Sequence, residues 1–167
     1  MNPQLIESLQ VQFNKERQNG AVYDALAGAF EYLNLSGFAR FMARNGDEER
    51  GHAKKFFGYL ADVGEQPQIR ALAEVGVMVG TDLFASTLAM FNAALSAEQQ
   101  NLASLYLVHA ACSNAVSADP ATVSFLFPIL DEQIASIKEF TERVTRVTLA
   151  QGDGAALIAL DHELAED

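Results

Sequence analysis

The sequence predicts an all-α fold, namely a four-helix bundle with one long crossover connection and a short fifth helix at the carboxyl end. Half of the 167 residues are hydrophobic and four are prolines, which favours helices over strands. Apolar residues recur at intervals of three, four or seven through four long segments. The connections between these segments are short, long and short, the order expected of a bundle with one crossover. We expect one domain over residues 1–167, with the bundle over about 4–149 and the fifth helix over about 155–164.

The first two helices are predicted to form an antiparallel pair, because few residues link them. The first ends near Leu35, and Ser36 is expected to cap the second, which Gly64 terminates. The inner face of the first helix carries Leu5, Leu9, Phe13, Glu16, Tyr23, Ala27 and Phe30. The inner face of the second carries Phe38, Phe41, Asn45, Glu49, His52, Phe56 and Tyr59.

The stretch from Glu65 to Thr81 is predicted to be one long connection, because it contains proline and glycine and shows no sustained period. About seventeen residues can extend roughly 55 Å, enough to start the third helix at the far end of the bundle. The third helix carries one stripe of Phe84, Leu88, Phe91, Leu95, Glu98, Leu102, Leu105, His109 and Cys112. In this stripe we interpret His109 and Cys112 as core residues.

The fourth helix is predicted to begin at Asp119-Pro120, which supply an N-cap and a proline at the first helical position. Pro128 predicts either a local distortion or a later start. Its inner face carries Leu126, Leu130, Gln133, Ile137, Phe140, Val144 and Val147. After the break at residues 152–154, a helix from Ala155 to Leu164 is too short to be stable alone and should dock on another surface.

Composition limits the functions that the chain can have. A net charge of -11 and a pI near 4.6 argue against nucleic acid as a partner and suit cations. The amino terminus lacks the features of a secretory signal, and no apolar run is long enough to span a membrane. The single cysteine excludes an intrachain disulfide and fits a reducing compartment. We therefore expect a cytoplasmic protein with no membrane partner.

Three glutamates, Glu16, Glu49 and Glu98, lie in the apolar stripes of three different helices. A buried unpaired carboxylate costs several kcal/mol, and three together repel one another, so they must be protonated, paired or bound to metal. A bound divalent metal is the simplest compensation, because the nearby cations flank the stripes rather than lie in them. These flanking cations are Lys15, Arg17, Arg50, Lys54 and Lys55.

Glu49 and His52 form a Glu-x-x-His motif, which places a carboxylate and an imidazole one turn apart on one helical face, as di-iron bundles require. With Gln133 on the fourth helix, five polar groups lie on otherwise apolar stripes. Such oxygen and nitrogen ligands suit iron, with manganese and zinc as competitors. Each group also has a simpler interpretation: a lone glutamate as a solvated position, His52 as a hydrogen-bonded core residue, and Tyr23 as packing. Beside iron, Tyr23 could instead donate an electron or a hydrogen bond.

The chain resembles the haem-free bacterial ferritins over nearly its whole length. The segments that carry the resemblance are IESLQVQFNKE, DEERGHAKKFFGYLADVG, LFASTLAMFNAALSAEQ, FLFPILDEQ and QGDGAALIALDHEL. The resemblance implies a ferroxidase centre that uses Fe(II) and dioxygen in a cage of 24 subunits with a ferric mineral core. The implied first iron ligands are Glu16, Glu49 and His52. Glu49 also bridges to a second iron, held by Glu98 with Gln133 nearby.

Four further positions refine the comparison with bacterial ferritins. Glu48 and Glu132 match an accessory iron site in that family. From the residues alone, the interpretation that both lie on a solvated helix edge is equally good. Ser136 stands where these ferritins usually carry a glutamate, which predicts a weaker second iron site. Arg50 stands where haem-containing bacterioferritins carry their axial methionine, so no haem is expected.

Three other functions agree less well with these residues. A di-iron oxidase or peroxidase that stores no iron usually shows two Glu-x-x-His motifs, and this chain has one. A bundle that has lost catalysis would not oxidise Fe(II). A small DNA-protecting cage lacks the fifth helix, so the carboxyl-terminal segment argues against it.

Overall fold

A computed structural model describes residues 1–114 and 118–166, and these ranges contain five α-helices and no strand. The helices are α1 Pro3–Tyr32, α2 Ser36–Asp62, α3 Leu83–Cys112, α4 Pro120–Leu149 and α5 Gly154–Glu166. α1 packs on α2, α3 packs on α4, and α1 also packs on α3. The all-α bundle with a long crossover and a fifth helix is thus confirmed. Among the described helices, none is long and apolar enough to cross a bilayer.

The turn between α1 and α2 shows that the expected capping role of Ser36 is wrong. Asn34 takes a left-handed conformation at φ 59°, and the amide of Leu35 donates to the Phe30 carbonyl, which closes a Schellman motif. Leu35 is thereby buried, and it occupies the N-cap position without a side-chain hydrogen bond. Ser36 becomes the first helical residue because the chain must turn at Asn34 to bury Leu35.

α5 supplies the cap that α2 lacks. Asp161 of α5 is buried, and its Oδ1 accepts a hydrogen bond of 2.8 Å from the backbone amide of Phe38, the third residue of α2. The two helices approach so closely that a Cβ atom on Gly37 would lie 1.7 Å from the Asp161 carbonyl oxygen. α5 is longer than predicted. Leu157 and Leu164 are buried as docking requires, whereas Ile158 stays exposed.

The crossover begins after Gly64, whose φ of 83° ends α2 as predicted. It then runs along α1 in the same direction, held by an amide ladder that we define as Gln10, Asn14 and Gln18. Each of these side chains donates to a backbone carbonyl of the crossover and accepts from a backbone amide. The backbone groups belong to Gln66, Gln68, Arg70 and Ala73, at distances of 2.7–3.2 Å.

α4 begins where the sequence predicts. Asp119 accepts a hydrogen bond of 3.0 Å from the Thr122 amide, and Pro120 is the first helical residue. Pro128 lies inside α4 without delaying its start, so the expectation of a later start is wrong. Pro128 is the ninth residue of α4 and is exposed, so the backbone carbonyl that its missing N–H leaves unbonded lies near solvent.

The apolar core consists of two clusters, one towards each end of the bundle. One contains Phe30, Phe38, Phe91 and Phe140, and the other contains residues such as Leu5, Phe56, Leu105 and Leu126. The helices present buried polar side chains between these clusters, and this polar layer contains Glu16, Glu49, Glu98, Asn101 and Gln133. Each of the predicted inner stripes therefore passes from one apolar cluster through the polar layer to the other.

Candidate metal centre

The first group in the polar layer consists of Glu16 from α1 and Glu49 and His52 from α2. Their ligand atoms all lie within 4.8 Å of one another. His52 Nδ1 is 3.8 Å from Glu16 Oε2 and 3.9 Å from Glu49 Oε2. Glu16 is 0% exposed and Glu49 4% exposed, so water cannot freely solvate the carboxylates. The structure thus brings together the three residues predicted for the first metal.

Two atoms of this group are buried without a hydrogen-bond partner among the described residues. They are Glu49 Oε2 and His52 Nδ1, both available as ligand atoms. Buried polar atoms are seldom left unpaired, because each costs about 1–3 kcal/mol. A divalent ion between these atoms would satisfy both and neutralise the paired carboxylates. The donor set therefore fits a metal such as iron.

The electrostatics of the centre agree with this reading. Burial raises the pKa of Glu49 well above its ordinary value, and a hydrogen bond and repulsion from Glu16 raise it further. The metal-free centre therefore retains a proton more readily than isolated carboxylates would. A cation would exchange with that proton, because it stabilises the ionised form of the same carboxylate.

Glu98 from α3 faces the other side of the polar layer and is held by hydrogen-bond donors. Tyr23 Oη donates to Glu98 Oε1, and Gln133 Nε2 donates to Glu98 Oε2 and, at 3.1 Å, to the Glu98 carbonyl. Burial raises the pKa of Glu98, while hydrogen bonds from Tyr23, Ser136 and Gln133 oppose this rise. Glu98 is thus close to the centre but engaged by three donors.

Tyr23 combines the two roles that the sequence left open. Its ring stacks on Phe140 at a centroid distance of 5.7 Å, and its hydroxyl reaches Glu98. Burial and the Glu98 carboxylate both raise the pKa of Tyr23, so the phenol keeps its proton. The side chain therefore packs and orients a carboxylate at the same time.

Sequence reasoning missed two members of the polar layer, Gln12 and Asn101. Gln12 Nε2 donates to Glu16 Oε1 at 2.6 Å and to Asn101 Oδ1 at 2.8 Å. Asn101 Nδ2 donates to Glu16 Oε2 at 3.1 Å and to Gln133 Oε1 at 2.8 Å. Their positions gave a signal, because each lies one helical turn from a glutamate of the centre. They link the two sides of the layer into one network.

A cavity of about 540 Å³ opens onto the centre between α2 and α4. Glu49, Glu98, Gln133 and Ser136 line its inner part. The other charged residues that line it are Glu48, Lys55, Glu132 and Glu139. This cavity gives solvent and small ions access to the buried carboxylates.

The predicted accessory residues differ in their surroundings. Glu48 is exposed at the cavity wall, whereas Glu132 makes a 2.7 Å contact with His52 Nε2 and a 2.8 Å ion pair with Lys55. Glu139 is also engaged, since Arg44 and Arg143 lie 3.5 Å and 3.4 Å from its Oε1. Lys55, which sequence reasoning placed outside the stripes, therefore reaches the mouth of the centre.

The two residues interpreted as core in α3 lie away from this centre. Cys112 is fully buried in the apolar cluster that contains Leu105, as expected. His109 is only partly buried, with its ring 6.3 Å from that of Phe127. Arg50, which follows Glu49, points to the surface and pairs with Asp24 and Asp47.

The family model described as ferritin-like domain matches residues 6–150, which include the four helices of the bundle except the first three residues of α1. The chain belongs to the ferritin family. A bacterial non-heme ferritin of Staphylococcus aureus (strain USA300) is 30% identical over 164 residues, which cover 98% of this chain and 95% of that protein.

Solved ferritin structures share the fold over nearly the whole chain. A ferritin from the green alga Ulva pertusa superposes with a TM-score of 0.92 at 28% identity, covering 99% of this chain and 85% of that one. A ferritin of Archaeoglobus fulgidus, engineered into a closed form, superposes with a TM-score of 0.89 at 26% identity, covering 98% and 96%. Family and fold together support an iron-storage protein of the ferritin type, and family membership implies iron binding.

Proposed function

We propose that the chain is a ferroxidase subunit that oxidises Fe(II) with dioxygen at an intrasubunit di-iron centre and stores the ferric product in a homo-oligomeric cage. The observation that carries this proposal is the buried group of Glu16, Glu49 and His52, with two unpaired ligand atoms facing one another. A ferritin-family bundle with this group has both a fold suited to storage and a site suited to oxidation.

The first Fe(II) is held by Glu16, Glu49 and His52. Two carboxylates and one neutral imidazole leave further coordination positions free for dioxygen or water. Carboxylate oxygens favour Fe(III) over Fe(II), so binding at this site lowers the reduction potential of the iron. Gln12 and Asn101 orient Glu16 by donating to its two oxygens. The site therefore couples binding of the substrate to its oxidation.

The second Fe(II) lies between Glu49, which bridges, and Glu98. It competes with the three donors that hold Glu98, and Ser136 adds a hydroxyl where a further carboxylate would add charge. These contacts of Glu98 favour a second site that binds iron more weakly than the first. Tyr23 and Gln133 act by orienting Glu98, since both donate to its carboxylate.

Two neighbouring iron ions supply the two electrons that one dioxygen molecule needs to reach the level of hydrogen peroxide, with two protons taken from solvent. Each Fe(II) loses one electron and becomes Fe(III). The cavity between α2 and α4 provides the path by which water and ions reach the centre. A weakly held second iron favours release of the oxidised product along the same path.

The assembly is proposed to contain 24 subunits of one ferritin-like domain over residues 1–167, from the resemblance to ferritins. The docked α5 supports it, because α5 leaves Ile158 exposed for contact with another subunit. The proposal includes a cytoplasmic location and no haem, since Arg50 is ion-paired where bacterioferritins carry the haem-binding methionine. It includes no nucleic-acid or membrane partner, in keeping with the charge of -11.

The decisive experiment mixes anaerobic Fe(II)-loaded protein with dissolved oxygen and follows ferric absorbance. Rapid oxidation should occur in the wild type and be lost most completely in Glu49→Ala, because Glu49 contributes to both irons. Exposed Glu142→Ala serves as a control for loss of one negative charge. Iron that co-elutes with a large assembly after oxidation indicates storage. An oxidase that stores no iron would not show this co-elution. Unchanged oxidation in Glu49→Ala would refute the proposed centre.

A further inference from the structure

Three side chains form a hydrogen-bonded chain across the gap between α2 and α4 at the cavity mouth. Glu132 Oε2 lies 2.7 Å from His52 Nε2. Lys55 Nζ donates to both oxygens of the same carboxylate, at 3.2 Å to Oε1 and 2.8 Å to Oε2. Lys55 follows His52 by three residues, so the two side chains leave the same face of α2.

This chain determines which nitrogen of His52 faces the centre with a free lone pair. A carboxylate has only acceptor oxygens, so the hydrogen bond to Glu132 requires His52 Nε2 to carry the proton. In the neutral imidazole, Nδ1 is then the acceptor. His52 Nδ1 is the nitrogen that faces Glu16 and Glu49 and has no hydrogen-bond partner in the described part of the chain.

We infer that Glu132, held in place by Lys55, is a positioning residue that orients His52 with Nδ1 towards the metal, and is not an accessory iron ligand. This inference rests on the proposed function, because it presupposes that His52 binds the first iron. Carboxylates that accept the second N–H of a metal-bound histidine fix its tautomer and ring orientation in many metal sites.

The contacts of Glu132 argue against a role as an independent iron ligand. Both of its oxygens already accept hydrogen bonds, and the Lys55 ammonium supplies the positive charge that a bound ion would otherwise supply. The Lys55 and Glu132 side chains are 45% and 49% exposed. Ion pairs this exposed contribute little to stability, so orientation of the imidazole is their larger effect.

The test measures Zn²⁺ binding to the metal-free, assembled protein by calorimetry, and the titration continues beyond one ion per subunit so that it reports both the tightest affinity and the number of ions bound. Glu132→Ala should weaken the tightest site about 10- to 100-fold, as loss of such an outer partner typically does. In a His52→Ala background the same change should have little further effect, because Glu132 then has no imidazole to orient. Exposed Asp131→Ala is the matched control for loss of a neighbouring negative charge.

A spectroscopic measurement separates orientation from charge. X-ray absorption at the zinc edge should show the imidazole scattering of His52 in the wild type and its reduction in Glu132→Ala. Glu132→Gln should retain more of this signal, because its amide oxygen can still accept the Nε2–H. Lys55→Met should reduce the imidazole scattering less than Glu132→Ala does, because it removes the ion pair to the Glu132 carboxylate but leaves the carboxylate in place.

The outcomes distinguish the inference from the proposed function. If Glu132→Ala lowers the number of ions bound per subunit, as Glu48→Ala would at an accessory site, while the tightest affinity stays unchanged, Glu132 is an accessory ligand and the inference fails. An equal loss in the His52→Ala background would also overturn it, since the effect would then be electrostatic. Unchanged tight binding in Glu49→Ala would instead remove the proposed centre itself.

Discussion

Asp161 of α5 accepts a hydrogen bond of 2.8 Å from the backbone amide of Phe38, so a residue near the end of the chain caps a helix of the bundle. α2 has no cap from its own sequence neighbours, because Leu35 occupies that position. A cap of this kind is worth about 1 kcal/mol. Docking of α5 therefore also caps the amino-terminal end of α2.

Gly37→Ala should undock α5, because the added methyl group would lie 1.7 Å from the Asp161 backbone oxygen. We expect loss of the large assembly on size-exclusion chromatography, with the helical content of the bundle retained by circular dichroism. Gly58→Ala is the matched control, since a Cβ there meets nothing within 4 Å and alanine favours the helix by about 1 kcal/mol. Normal assembly of Gly37→Ala would show that α5 docking is not needed.

Ser136→Glu should raise occupancy of the second iron site, because it adds an anionic ligand beside Glu98. Product release should become slower, since a tighter site also holds Fe(III) longer. Metal-soaked crystals of both proteins at limiting Fe(II) would show the occupancies directly. Ser136→Gln is the control, because glutamine is nearly equal in size to glutamate but neutral, and it should not raise occupancy of the second site. Equal filling of both sites in the wild type would contradict the prediction.

Stability of the metal-free protein should fall as pH rises above the ordinary carboxyl pKa near 4.5. The pKa values of Glu49 and Glu98 are raised mainly by burial, so the folded chain binds more protons than the unfolded chain in this range. Stability then declines until the raised pKa values are passed. Thermal midpoints between about pH 5 and pH 7.5 should decline more steeply in the wild type than in Glu49→Gln.

Zn²⁺ should reverse this decline, because the ion replaces the retained proton at the same carboxylates. Calorimetric titrations in buffers of different ionisation enthalpy should then show proton release on binding near neutral pH. Parallel pH profiles for the wild type and Glu49→Gln, without proton release, would contradict the assignment of a raised pKa to Glu49.

Asn101→Leu should destabilise the metal-free protein by about 2 kcal/mol or more, because the change removes hydrogen bonds to Glu16, Gln133 and Gln12 in a buried layer. For a chain of this length, that corresponds to a fall of roughly 4–8 °C in the thermal midpoint. Gln100→Leu, at the exposed neighbouring position, is the control. Equal midpoints for the two variants would mean that the network contributes nothing measurable.

Helical periodicity was sufficient to predict the four bundle helices and to place Glu16, Glu49 and Glu98 inside. A charged residue in an apolar stripe is conspicuous, because its burial requires compensation. Asn101 and Gln12 were not predicted, since neutral amides occur often on helix surfaces and their one signal, a position one helical turn from a glutamate of the centre, is weaker than a charge in an apolar stripe. The capping of Phe38 by Asp161 could not be predicted either, because it depends on how closely α5 approaches α2.

The contacts of Glu132 show a similar limit. The sequence places it beside Gln133 and therefore near the centre, but the choice between metal ligand and partner of His52 depends on side-chain geometry. Lys55 was set aside as a flanking cation, although its long side chain spans from α2 to α4. Distances across the bundle, unlike positions along one helix, are not encoded in a simple period.

The spacing of the amide ladder on α1 sets the register of the crossover along the helix. Four residues of helix rise about 6.0 Å and two extended residues span about 6.6 Å, so Gln10 and Asn14 meet backbone groups two residues apart. Between Arg70 and Ala73 the chain uses a longer segment to reach Gln18. Insertions should therefore be tolerated between Arg70 and Ala73 and rejected between Gln66 and Arg70, where one added residue would turn the following backbone groups to the side of the extended segment that faces away from α1.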